Sequence, residues 1–189
     1  MVSNIGGYIA DPLSRKDIRK IAYRLRELFG FENELDFPIV KVIELLYNKG
    51  VFNLEICTID EMGSKLGETI PSENLIKLRE DIYDNGCDGD GFSRSTCSHE
   101  LLHWLQHREE TVSLCRKKED LQNRKAYEDP EWQANCFSGE LLVPKHLVKG
   151  MTINEIVEKC NVTHSMARYQ YKKYEEEGWE DWIEKKKTH

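Results

Sequence analysis

The chain has 189 residues, 39% of them hydrophobic, and a formal net charge of −7. That length and apolar content suit one good core with a small appendage, and the negative total leaves no overall surplus for gripping a phosphate backbone. No apolar run approaches the ~18 residues of a membrane span, and Met1 to Ala10 lacks the basic and apolar regions of a secretion signal, so a cytoplasmic protein is expected. Cys57, Cys87, Cys97, Cys115, Cys136 and Cys160 form no C-x-x-C pair, which predicts free thiols rather than a zinc ribbon or a disulfide framework; none carries the local signature of a thiol protease.

In chain order, residues 14 to 30 predict an amphipathic helix. Ser14 and Asp17 make a capping pair, Ile18, Ile21, Ala22, Leu25 and Leu28 a stripe, and Gly30 a stop. Pro38 to Lys49 predicts a second helix ended by Gly50, and Arg15, Lys16, Arg19 and Lys20 are expected on a solvated face. The period then changes. Val51 to Ile59, Lys65 to Ile70 and Asn74 to Tyr83 read as strands, with Pro71-Ser72-Glu73 as a turn, and Asp84 to Gly91 as a loop. The D-x-D core of that loop lacks the closing glutamate of an EF-hand, so a plain turn is expected there.

Cys97 to His107 carries the H-E-x-x-H pattern of helical zinc hydrolases at His99, Glu100 and His103. Four residues apart on a helix, His99 and His103 stack one turn above each other, about 40° apart around the axis, and can share one ion. Glu100 sits about 60° to one side, within reach of a metal-bound water without being a ligand. Leu101, Leu102, Trp104 and Leu105 form an apolar back for the same helix. His107 would lie about 12 Å along the axis from His99, too far to close around the same ion, and is expected as a helix-end residue favouring the C-terminal dipole.

Arg108 to Glu128 is dense in charge and predicts a surface excursion beside the cleft. The next helix opens with Asp129 as cap and Pro130 in its first turn, and Pro144 stops it. Glu131, Asn135 and Ser138 share one face, flanked by Ala134 and Gly139, a narrow strip that can approach the first helix closely; Glu140 points about 180° away from Glu131. Of the acidic residues here, Glu131 is the one whose neighbours let it reach a metal. Asn135, one turn on, is placed to hold the outer N–H of a ligand histidine. Thr152 to Lys159, Cys160-Asn161-Val162 and Thr163 to Tyr174 have the outline of a helix-turn-helix. With seven basic against eight acidic residues in 151 to 189, packing is expected of this tail rather than nucleic-acid binding, and Glu175 to Glu177 and Lys185 to Lys187 are expected in solvent.

The two motifs, H-E-L-L-H at 99 to 103 and E-W-Q-A-N-C-F-S-G-E-L-L-V-P at 131 to 144, resemble those of the ImmA/IrrE family of bacterial metallopeptidases, HExxH followed by E-x-x-A-N-x-F-A-x-x-L-L-x-P. Glu80-Asp81-Ile82-Tyr83-Asp84 and Arg94-Ser95-Thr96 are also similar to that family, and the likeness extends loosely over residues 15 to 174. Leu102 stands where the family commonly has glycine. The resemblance implies His99, His103 and Glu131 as Zn2+ ligands, Glu100 as general base, and a regulatory protease whose substrate is typically a helix-turn-helix repressor or an antitoxin. Tyr83 and His146 are the candidate oxyanion stabilisers flanking the motifs.

The expected fold class is α+β: a zincin-like body with a small sheet beside the H-E-x-x-H helix, N-terminal helices, and a helix-turn-helix-like tail. Residues 1–146 are expected to form the metallopeptidase domain and 147–189 a helical extension. The competing readings are a DNA-binding regulator and a non-catalytic interaction protein, in either of which zinc would only hold the fold.

Overall fold

A computed structural model describes residues 8–107, 112–114 and 125–180. The fold is α+β, with nine α-helices and two small sheets among the described residues. Most of the charged excursion expected at 108–128, Cys115 and the Lys185 to Lys187 run lie outside the described residues.

Strand β1 (Tyr8–Ala10) pairs antiparallel with β5 (Val112–Leu114), a short ladder the sequence did not announce. Helix α1 (Arg15–Leu28) starts at Ser14, whose side chain accepts the Asp17 N–H, and Gly30 follows it at φ +75°. Its stripe buries Ile18, Ala22 and Leu25, but Leu28 is exposed. Helix α2 is Ile39–Asn48.

The main sheet has the order β2-β4-β3, with β2 (Asn53–Cys57) parallel and β3 (Gly67–Ile70) antiparallel to the central β4 (Leu75–Arg79). Its strands are shorter than expected. A capping box at Thr58 and Glu61 starts the single turn α3 (Ile59–Met62), and Pro71–Glu73 forms a 3-10 turn. The third strand, expected to reach Tyr83, ends at Arg79, because the chain turns into helix α4 (Glu80–Cys87) with Glu80 and Asp81 in its acidic first turn. The loop expected from Asp84 is thus partly helical, and only Asp88–Asp90 separates α4 from α5 (Gly91–Gln106).

Beyond a 3-10 turn at Ala126–Glu128 come α6 (Pro130–Leu142), α7 (Lys145–Val148), α8 (Ile153–Cys160) and α9 (His164–Glu177). One hydrophobic cluster runs from Ile18 through Ile76, Leu101 and Phe137 to Ala167 and Tyr174, so α8 and α9 share the core of the preceding helices across the expected boundary at residue 146.

Lys16 and Lys20 are exposed as expected, but the other two charges of that face are not. Arg15 and Arg19 of α1 turn inward and meet Glu140 of α6 at 2.9 and 2.7 Å, and Glu177 of α9 lies 2.7 Å from Arg19. Tyr174 Oη, 3.1 Å from Glu140, donates to the carbonyl of Val143 at 2.6 Å. Desolvation opposes the charge on Arg19, but its hydrogen bonds and proximity to Glu140 outweigh that and raise its pKa. The network ties α1, α6 and α9 together and fixes the roll of α6 about its own axis.

Candidate metal centre

Helix α5 begins where Asp90 Oδ2 accepts the Ser93 N–H at 2.8 Å, and its sixteen residues put the H-E-x-x-H sequence in its C-terminal half. Cys97, Ser98, Leu101 and Leu102 are buried, which leaves His99 and His103 at the margin of the core. Leu102, the residue before His103, points into that core. Asp129 accepts the Glu131 N–H at 3.0 Å and so sets Glu131 in the first turn of α6.

Small residues bring the two helices together. Ala134 and Ser138 are buried, Ser98 Oγ and Ser138 Oγ are 3.1 Å apart, and Ser138 Oγ donates to the carbonyl of Ser95 at 3.0 Å. Gly139, grouped by periodicity with this strip, faces α9 instead: a Cβ there would lie 1.8 Å from Gln170 Nε2.

His99 Nε2 and His103 Nε2 face each other at 2.9 Å, and Glu131 places one oxygen 3.2 Å from the first and the other 3.4 Å from the second. The three ligand atoms lie within 4.8 Å of one another. Two imidazole nitrogens and one carboxylate oxygen, all aimed at one spot, fit a divalent metal ion such as zinc.

The outer nitrogens of both imidazoles are engaged. His99 Nδ1 is 3.2 Å from Asn135 Oδ1. His103 Nδ1 is 2.7 Å from His107 Nδ1, and His107 Nε2 is 2.7 Å from Gln133 Oε1. His107 stands at the C-cap of α5, the helix end expected of it, and is also a buried partner of His103. Its spacing from His103 repeats that of His103 from His99, which was the available signal; Gln133 left none.

Glu100 is buried beside this group. Thr69 Oγ1 of β3 lies 2.8 Å from its Oε2 and 3.0 Å from its backbone carbonyl oxygen. A Cβ on Gly67 would come within 2.6 Å of Glu100 Cγ, so the bare strand backbone is what lets the carboxylate lie flat against β3. Burial pushes the Glu100 pKa up. Burial also acts against a charged His99, but the Glu131 hydrogen bond and the nearby carboxylates outweigh it and raise its pKa. Burial and the neighbouring His99 lower that of His103, burial lowers that of His107, and the hydrogen bond from His99 lowers that of Glu131.

The structure does not bring Tyr83 or His146 to this group. Tyr83 Oη donates to Glu44 of α2, and that bond together with burial raises its pKa. His146 Nε2 lies 2.7 Å from the carbonyl of Glu32. Cys97 and Cys136, on the two helices of the site, are both pushed up to about 12 by burial and are poor nucleophiles at neutral pH.

A cleft of about 300 Å³ opens between β3 and α5, lined by Leu66, Gly67, Thr96, His99, Glu100 and Asn135. It shares Phe92, Ser95 and Asn135 with a second cavity of about 350 Å³ reaching Trp132, Met166 and Tyr169. In the sheet order β2-β4-β3, β3 is the edge strand beside Glu100.

An α+β fold carrying two histidines and a glutamate in one cluster, next to a buried carboxylate on a cleft, defines a metallopeptidase-like protein. Residues 60–170 match the family described as the IrrE N-terminal-like domain, peptidase M78, and the chain belongs to that family. No curated protein matches the chain. Among the described residues, no helix is long and apolar enough to cross a membrane.

Proposed function

We propose that this chain is a cytoplasmic zinc-dependent endopeptidase of regulatory type, acting on a helix-turn-helix repressor or an antitoxin. The observation that carries the reading is the meeting of His99, His103 and Glu131 within 4.8 Å, with Glu100 buried alongside on the edge strand β3. In this reading residues 1–146 form a zincin-like catalytic unit, and α8 and α9 a helix-turn-helix-like extension that packs on it.

Zinc held by the two imidazoles and Glu131 supplies Lewis acidity and a water of lowered pKa. The remaining work falls to the chain. Thr69 holds Oε2 of Glu100, which leaves Oε1 to take a proton from the attacking water and return it to the leaving amine. Burial raises the basicity of that carboxylate and so suits it to accept a proton near neutral pH. The outer edge of β3, which pairs with no further strand among the described residues, can align a substrate segment in extended form by backbone hydrogen bonds, with its carbonyl over the cleft. Asn135, bonded to His99, keeps that ring turned inward.

The test is incubation of the metal-loaded protein with a small repressor encoded beside it, with Glu100→Ala and excess chelator as parallel arms. Cleavage by the wild type that falls by about 10²–10⁴-fold in Glu100→Ala and stops with chelator supports the reading. A repressor that binds but stays intact in every arm would replace it with the non-catalytic interaction protein.

A further inference from the structure

We infer that His107 and Gln133 are positioning residues that set the tautomer of His103, through a hydrogen-bond relay anchored on two backbone carbonyls. The inference rests on the metal-site reading above. It begins at Gln133, whose Nε2 donates to the carbonyl of Asp11 at 2.9 Å and to that of Tyr127 at 2.8 Å. An amide oxygen cannot stand where two carbonyls accept, so the side chain has one orientation, with Oε1 toward His107.

At 2.7 Å from an obligate acceptor, His107 Nε2 carries the hydrogen. The neutral ring then presents a lone pair at Nδ1. Between two Nδ1 atoms 2.7 Å apart one hydrogen is shared, and it must come from His103. His103 Nε2 is thereby left bare and pointing at His99 Nε2 and Glu131.

Gln133 and His107 are both buried, so water does not compete for these bonds. His99 is held differently, by Asn135 at the rim of the cleft. The two histidines thus differ: one is oriented by an exposed amide, the other by a buried chain that ends where the segment before α1 and the turn before α6 meet. Metal-ligand histidines commonly depend on such partners by about 10–100-fold in metal affinity.

The experiment measures zinc affinity of the purified full chain by competition with a chromophoric chelator, for wild type, His107→Phe, His107→Asn and Gln133→Met. His107→Phe keeps a ring without an acceptor, whereas His107→Asn keeps an acceptor at the position of Nδ1. The expected result is about 10–100-fold weaker binding in His107→Phe and Gln133→Met, with His107→Asn within a few fold of wild type. Equal losses in the Phe and Asn variants, or none in either, would overturn the relay.

Long-range ¹H–¹⁵N spectra of the metal-free wild type read the tautomers directly and do not depend on any variant folding. His103 protonated at Nδ1 and His107 at Nε2 are expected; His103 protonated at Nε2 would refute the inference. A wild type that binds zinc no better than His99→Ala would remove the metal site itself and the relay with it, whereas a chain that binds zinc but cleaves nothing would remove only the peptidase reading.

Discussion

Glu131 and Glu140 sit on opposite faces of α6 and are surrounded in opposite ways. Glu140 is fully buried and meets two guanidinium groups, with a tyrosine hydroxyl 3.1 Å away. Glu131 is half exposed and meets two imidazoles whose outer nitrogens are already bonded elsewhere. The first cluster supplies its own positive charge and is complete as folded. The second brings three potential ligand atoms within 4.8 Å of one another, an arrangement that could hold a cation. Acidic residues that look equivalent in sequence can thus be sorted by whether the protein itself neutralises them.

Loss of each carboxylate is expected to have a different consequence. Glu140→Ala would remove the buried carboxylate that Arg15 and Arg19 share, leaving them Glu177 alone, and is expected to cost about 3 kcal/mol in denaturant unfolding. Glu131→Ala, half in solvent, is expected to cost the metal-free protein under ~1 kcal/mol while abolishing tight zinc binding. Similar stability losses in the two variants would erase the distinction.

A smaller effect is expected from Gly67→Ala. The added methyl group meets Glu100 Cγ, so the carboxylate must shift off β3. Proteolysis measured against the same repressor is expected to fall by up to about 10²-fold, with zinc affinity and melting temperature close to wild type. Unchanged turnover would show that the placement of Glu100 against this strand is not needed. Smaller again is Gly139→Ala, where the methyl group meets Gln170 and presses α9 away from α6. A loss of about 1–3 kcal/mol in stability is expected with metal binding intact, and a neutral result would mean that Gln170 repacks at no cost.

Much of this was legible in the sequence because it depends on helical spacing. The pairing of His99 with His103 and the face shared by Glu131, Asn135 and Ser138 follow from about 100° per residue, and the Ser14 and Asp129 caps from side-chain oxygens that accept unpaired first-turn N–H groups. Boundaries were less legible. The end of β4 at Arg79 was hidden because Ile82 and Tyr83 continue an apolar pattern that suits a strand as well as the first turns of α4.

What sequence could not supply is which charged residues turn inward. Arg15 and Arg19 look like an ordinary polar surface until α6 brings Glu140 against them. The same limit hid the reach of His107, because its partner Gln133 lies across the gap between two helices. The setting of Tyr83 was hidden for a related reason: it lies upstream of the motif in sequence, and α4 turns its hydroxyl toward Glu44 of α2.

One face of α6 is expected to serve a metal and the other is not. The most direct measurement is the zinc content of wild type, Glu131→Gln and Glu140→Gln after equilibrium dialysis, read by elemental analysis. One zinc per chain is expected in the wild type and in Glu140→Gln, and a large loss in Glu131→Gln. Equal zinc content in both variants, or no stoichiometric zinc in the wild type, would contradict that expectation.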